Sequence, residues 1–153
     1  MSRAFDDMVD KYSTSIFRCA YAYCNNWSDA EDIMQEVFYK YLSKRPTFKD
    51  ADHEKAWFLR VTINLSKNYV KSFWNRKTEG LCEDIPCFGQ EEKEIWGFVQ
   101  KLPEKYRVVL ELYYWEGYSI KEIADILKKN SSTVGTHLER AKKMLRTTIE
   151  GKV

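Results

Sequence analysis

Arg60, Asn64, Lys67 and Lys71 recur at i, i+4, i+7 and i+11, with Asn68 and Asn75 beside them. On a helix these side chains share one face, which carries no acid over four turns. Solvated faces of that length usually mix signs, so the stripe reads as a surface for a polyanion. Near the C-terminus a second polar face is spaced the same way: Ser132, Thr136, Glu139, Arg140 and Lys143. Its hydroxyls and cations are groups that reach base edges and phosphates. A third set, Asp29, Asp32, Gln35 and Glu36, is acidic. Acids near a helix start suit the helix dipole, which accounts for Asp29 and Asp32. Glu36 lies two turns in and fits a docking face for a basic partner better.

No catalytic constellation accompanies these sets. The two histidines, His53 and His137, lie in different halves, with no nucleophile–base set and no glycine-rich phosphate loop. The expected chemistry is binding, so neither an enzyme nor a cofactor is expected. Cys19 and Cys24, like Cys82 and Cys87, form C-x4-C pairs with no histidine near them in sequence. That is poor zinc spacing, and reduced structural thiols without metal are the preferred reading. A redox or metal switch at Cys82 and Cys87 is the alternative.

The elements that must position these groups are all helical by pattern. Only six glycines and three prolines interrupt 153 residues, which favours an all-α fold. Phe5, Met8, Val9, Tyr12, Ile16, Phe17 and Ala20 trace one face of a first helix ending near Asn25. Ser28 and Glu31 have capping-box spacing and open a second helix with Ile33, Met34, Val37, Phe38, Tyr41 and Leu42 inward. Its solvent side is read as Asp29, Asp32, Gln35, Glu36 and Lys40. A loop at Lys44–Asp50 is broken by Pro46. A long helix then runs from about Asp52 to Lys77, with Phe58, Val61, Leu65, Tyr69 and Phe73 buried. Trp57 and Trp74 flank its basic stripe, where they could stack on bases or simply pack.

Residues 78–94, TEGLCEDIPCFGQEEKE, have no periodicity and read as a flexible acidic linker. Seventeen such residues span roughly 20–25 Å on average and up to ~55 Å extended. Charge divides the chain the same way. Residues 1–77 hold 13 Lys/Arg against 10 Asp/Glu, residues 78–98 hold 1 against 6, and residues 99–153 hold 11 against 7. Two basic halves flank an acidic connector, and both could meet a polyanion.

A short helix from Ile95 to about Leu102 precedes one opened by Pro103, with Tyr106, Val109, Leu110 and Tyr113 apolar and Gly117 as its stop. Ser119 and Glu122 form a capping box for the next helix, which buries Ile123, Ala124 and Leu127. Asn130 is expected to cap the last helix, whose buried stripe is Val134, Leu138, Ala141 and Leu145. Two helices in this order form either a plain helical hairpin or a helix-turn-helix that places the second in the major groove. The expected architecture is two small helical domains, 1–77 and 95–153, joined by linker 78–94, with the helix-turn-helix in the C-terminal one. The opening MSRAFDDMVDKY lacks the apolar core of a signal peptide, and no later stretch approaches a membrane span. A cytoplasmic protein with no membrane insertion of its own is expected.

Several segments, in order, carry a resemblance. DAEDIMQEVFYKYL (29–42) resembles the core-polymerase-binding segment of bacterial sigma factors, and AWFLRVTINLSKNYV (56–70) the adjoining promoter-opening helix. LPEKYRVVLELYYWEGYSIKEIADIL (102–127) with TVGTHLERAKKML (133–145) resembles their C-terminal DNA-binding domain. With two domains and no middle one, the chain is similar to the extracytoplasmic-function class. The resemblance implies a factor that binds core RNA polymerase and directs promoter-specific initiation. Asp29, Asp32, Gln35 and Glu36 would dock on the polymerase clamp helices. Arg60, Asn64, Lys67, Asn68 and Lys71 would hold the −10 element as it opens, and the loop from about Arg45 to His53 would capture a flipped base. Ser132, Thr133, Thr136, His137, Glu139 and Arg140 would read the −35 element, with Lys121 and Lys143 on phosphates. An anti-sigma factor is an implied partner. The sequence departs from the family pattern at Lys128, where a turn glycine is usual, at Lys129, usually apolar, and at Gly135, commonly Lys or Arg. The opening helix also ends in Ser72-Phe73-Trp74-Asn75-Arg76 in place of the frequent arginine run. A stand-alone helix-turn-helix regulator that does not bind polymerase is the competing expectation.

Overall fold

The computed structural model describes residues 3–72 and 90–151, with side chains over 4–69 and 92–151. The described residues are helical, without strands, and fall into two compact units, 1–78 and 79–153. Phe73, Trp74, Asn75, Cys82, Cys87 and most of the expected linker lie outside them.

The first unit is three helices: α1 (Arg3–Cys24), α2 (Trp27–Lys44) and α3 (Ala51–Ser72). Each packs on the other two. Phe58 is wholly buried at their meeting point. Its ring lies 4.7 Å from Tyr12, 5.4 Å from Tyr41 and 5.9 Å from Phe38, so all three helices are pinned to one aromatic side chain.

Two local expectations change here. α1 ends at Asn25 with φ +52°, a left-handed conformation that Asn tolerates better than most residues. Asn26 then caps α2, its side-chain oxygen accepting the Asp29 N–H at 2.9 Å. Ser28 therefore sits inside the first turn, and the Ser28–Glu31 capping box does not form. α3 also buries a different arc. Phe58 is buried as expected, but its companions are Leu59, Thr62, Ile63 and Ser66, whereas Val61, Leu65 and Tyr69 are half-buried. The buried hydroxyls need no partner from another helix. Thr62 donates to the Phe58 carbonyl at 2.6 Å and Ser66 to the Thr62 carbonyl at 2.7 Å.

The second unit contains α4 (Gln90–Val99), α5 (Glu104–Leu110), a π-turn (Glu111–Trp115), α6 (Ile120–Leu127) and α7 (Ser131–Ile149). α4 starts earlier than the expected Ile95. Acids at its start suit the dipole, and Glu92 accepts the Trp115 indole N–H at 3.2 Å. Trp96 is almost wholly buried and meets Trp115 edge-on at 5.3 Å.

α5 is buried through Tyr106, Arg107, Val108, Val109 and Leu110, a wider arc than the expected apolar stripe. Arg107 donates to the Leu102 carbonyl at 2.7 Å from inside this core, and Glu111 is wholly buried in the next turn. The π-turn adds one residue to a helical turn, the Glu116 N–H reaching the Glu111 carbonyl at 3.1 Å. Gly117 then stops the helix with φ +77°.

Candidate nucleic-acid and polymerase interfaces

The helix-turn-helix is built from local hydrogen bonds. Ser119 Oγ accepts the Glu122 N–H at 3.1 Å, and the Ser119 N–H donates to Glu122 Oε1 at 2.9 Å, so the expected capping box forms. α6 closes with Lys128 left-handed, φ +58°. The Lys129 N–H reaches the Ala124 carbonyl at 2.9 Å and the Lys128 N–H reaches that of Asp125 at 3.3 Å, a Schellman closure. Lysine thus adopts the turn conformation that glycine takes at lower cost; for an L-residue that costs about 1–2 kcal/mol. Asn130 stands at the N-cap of α7 with extended backbone, but its side chain makes no capping hydrogen bond. The expected cap contribution is therefore absent.

α7 buries Val134, Leu138 and Ala141 and leaves Leu145 half-buried. Its opposite side presents Ser132, Thr136, Glu139, Arg140 and Lys143 to solvent, with Thr133 and His137 half-buried. Ser132, Thr133, Thr136, His137 and Arg140 line one shallow concavity of about 230 Å³. Lys121, Glu139 and Lys143 lie outside it. Glu139 lies 3.9 Å from Lys142, an exposed pairing of little energetic weight. The His137 ring stands edge-on to Tyr106 at 6.0 Å. Burial, and then the charges of Lys129, Lys105 and Arg140, hold its pKa below the usual histidine range. The imidazole is neutral at pH 7, able to donate and to accept a hydrogen bond. A Cβ added at Gly135 would meet nothing within 4 Å, so the glycine leaves open space on the same helix.

In the first unit, Arg60, Asn64, Lys67 and Asn68 are exposed together on α3, as their spacing requires. Lys71 lies on the same helix, but its side chain is outside the described residues. Trp57 is half-buried, packed 5.9 Å from Phe48 and 6.3 Å from Tyr41, so it belongs to the core edge.

On α2, Asp32, Gln35 and Glu36 are exposed. Asp29 is not solvent-facing as expected: it is 6% exposed, because α2 starts at Trp27 and turns this residue under the α1–α2 junction. Asp32 Oδ2 accepts the Tyr69 hydroxyl at 3.0 Å. Tyr39 is 71% exposed and Leu42 also reaches solvent. The spacing from Asp32 to Glu36, Tyr39 and Leu42 is helical, so the acidic face continues into an apolar one. Leu42, expected inward, is thus exposed, and the i+7 step from Asp32 is the sequence signal for Tyr39 on this face.

Among the described residues, no group of three or more His, Cys, Asp or Glu side chains could hold a metal ion. Cys19 is buried and Cys24 half-buried. No described helix is long and apolar enough to cross a membrane.

Comparison with known proteins adds the family. The model of sigma-70 region 2 matches residues 8–76, and that of sigma-70 region 4 matches residues 92–145. Among curated relatives, the ECF RNA polymerase sigma factor SigW of Bacillus subtilis (strain 168) is 30% identical over 163 residues, covering 94% of this chain and 87% of SigW. The RNA polymerase sigma factor SigV of the same organism is 27% identical over 145 residues, covering 90% and 86%. Among solved structures, the sigma factor RpoE in complex with the anti-sigma factor NepR, from Bartonella quintana, has a TM-score of 0.77 at 17% identity, covering 97% of this chain and 98% of that one. CnrH in complex with the cytosolic domain of CnrY has a TM-score of 0.70 at 22% identity, covering 100% and 92%. At these identities the structural likeness speaks to the fold alone.

Proposed function

The chain belongs to the sigma-70 family, in its extracytoplasmic-function class, and from that premise we propose how its two units divide the work of initiation. It binds core RNA polymerase and directs promoter-specific transcription initiation. The observation that carries this reading is the occurrence, in order on one chain, of the polymerase-binding region and the helix-turn-helix region. That pairing favours a polymerase-bound factor over a stand-alone regulator, whose first unit would have to bind a different partner.

The division of labour follows from the exposed chemistry. Residues 1–77 serve polymerase binding and promoter opening, 78–94 link, and 95–153 read duplex. Asp32, Gln35 and Glu36 form the polar part of the polymerase-docking face, with Tyr39 and Leu42 as its apolar part. Asp29 belongs to this set by sequence; being buried, it supports the start of α2 beneath the face. Arg60, Asn64, Lys67, Asn68 and Lys71 hold the −10 strand, mainly through phosphates. The concavity of Ser132, Thr133, Thr136, His137 and Arg140 reads the −35 element, with Glu139 at its rim and Lys121 and Lys143 on phosphates. The mechanism is binding throughout: recruitment, duplex reading and strand capture. The cytoplasm, where polymerase works, is its proposed location, and an anti-sigma factor is its proposed regulator.

The test is transcription by purified core polymerase with this chain on promoters recovered by sequencing polymerase-bound DNA. Specific initiation that requires the chain is expected. Tight duplex binding without competition for core polymerase would instead favour the stand-alone regulator.

A further inference from the structure

The loop between α2 and α3 is held at both ends. At its start Arg45 takes a left-handed conformation, φ +44°, its N–H on the Tyr41 carbonyl at 2.9 Å, and Pro46 follows. At its end two hydrogen bonds meet on one residue. The Lys49 N–H donates to His53 Nδ1 at 3.1 Å, and the His53 N–H donates to Asp50 Oδ1 at 2.8 Å. The second is an ordinary helix cap that any residue at position 53 would complete. The first is specific to the side chain, because it needs an acceptor at position 53 that reaches back four residues to the Lys49 N–H. The imidazole also meets Phe48 edge-on at 5.6 Å, and Phe48 packs on Trp57 and Phe58. The latch therefore joins the loop tip to the aromatic core.

We propose that His53 is a positioning residue that holds loop 45–53 in the shape that receives the extruded promoter base. The inference rests on the reading that this loop captures such a base. A loop already fixed loses less conformational freedom when it binds, so the latch contributes to strand capture without touching DNA. An imidazole nitrogen accepts only while unprotonated, and the bond places the ring proton on Nε2. The charged side chains flanking the ring in sequence are Lys49, Asp50, Asp52, Glu54 and Lys55. Glu54 is turned to α1, accepting from the Tyr12 hydroxyl at 2.5 Å and approaching Lys11 Nζ at 3.5 Å. The rings packed against the loop, Phe48 and Trp57, carry no charge.

The experiment uses the full chain with core polymerase and a promoter fork labelled with 2-aminopurine in the −10 region. Amide exchange at Lys49 in the free chain reports the latch itself. His53→Ala is expected to speed Lys49 exchange and to weaken fork binding about fivefold, the order of one hydrogen bond. His53→Asn, whose amide oxygen can stand in for Nδ1, is expected to restore both. Unchanged fork binding in His53→Ala, or no recovery in His53→Asn, overturns the latch when a Gly-Ser replacement of residues 46–49 still abolishes base extrusion. If that replacement leaves extrusion intact, the base-capture reading fails and the proposal fails with it.

Discussion

The Tyr69 hydroxyl donates to Asp32 Oδ2 at 3.0 Å, tying a side chain of α3 to one of α2. Asp32 stands on the proposed polymerase face, and Tyr69 follows the basic stripe on the same helix as Lys67 and Asn68. One hydrogen bond thus links the helix proposed to dock on polymerase to the helix proposed to hold the strand. It also orients the Asp32 carboxylate, leaving its other oxygen for a partner.

Charge reversal on this face separates docking from folding. Asp32→Arg with Glu36→Arg is expected to reduce core-polymerase affinity by more than tenfold, while helical circular dichroism is retained because both residues are exposed. Tyr69→Phe is the control. It removes the internal bond, costs about 0.5–1 kcal/mol of stability, and leaves core affinity within about twofold. Equal losses of affinity in both would show that the bond, not the acidic face, matters.

The basic stripe predicts a change in salt dependence. Arg60→Ala and Lys67→Ala should each weaken binding of single-stranded −10 DNA by the holoenzyme. Each should lower the slope of log affinity against log salt by about 0.7, the single-strand value per phosphate contact. An unchanged slope would mean that these cations do not meet phosphates.

Gly135 offers a gain. A side chain there meets no neighbour, and glycine inside a helix is less favourable than alanine by about 1 kcal/mol. Gly135→Ala should raise the melting temperature of the chain. Gly135→Lys should also tighten −35 duplex binding at low salt, an effect that shrinks as salt rises. Tighter binding in both variants alike would assign the gain to helix stability instead of charge.

His137 makes the second unit sensitive to pH in two opposite ways. Its folded pKa lies below the ordinary 6.5. The unfolded chain therefore takes up this proton first as pH falls. The stabilising contribution is present above about 6.5 and is lost as pH drops through the folded value. DNA phosphates favour the charged ring and raise its pKa, so duplex binding takes up a proton. Duplex affinity should then increase as pH falls below 6.5, and His137→Asn should flatten both profiles. Parallel titrations of melting temperature and duplex affinity check the two signs.

Helical periodicity was enough to find the order of the described helices and the exposed stripe at Arg60, Asn64, Lys67 and Asn68. Those features depend on spacing within one element. The Ser119–Glu122 box could be read for the same reason, since a capping box is closed by its own four residues. The cap of α2 could not. Asn26 and Ser28 are both good caps, and the left-handed Asn25 decides between them by turning the chain early. That same turn buries Asp29, which spacing alone had placed in solvent.

What a sequence pattern cannot supply is the width of the arc that neighbours cover. α3 lies against two helices at once, so burial moves onto Leu59, Thr62, Ile63 and Ser66, where hydroxyls bonded to their own helix pass as apolar. α5 carries Arg107, and the π-turn after it Glu111, into the core, although their charge marks them as surface residues. Composition and spacing therefore determined the all-helical fold and the exposed basic and polar stripes on α3 and α7. Tertiary packing decided which polar groups those surfaces lose to the interior, because burial depends on what stands opposite a side chain.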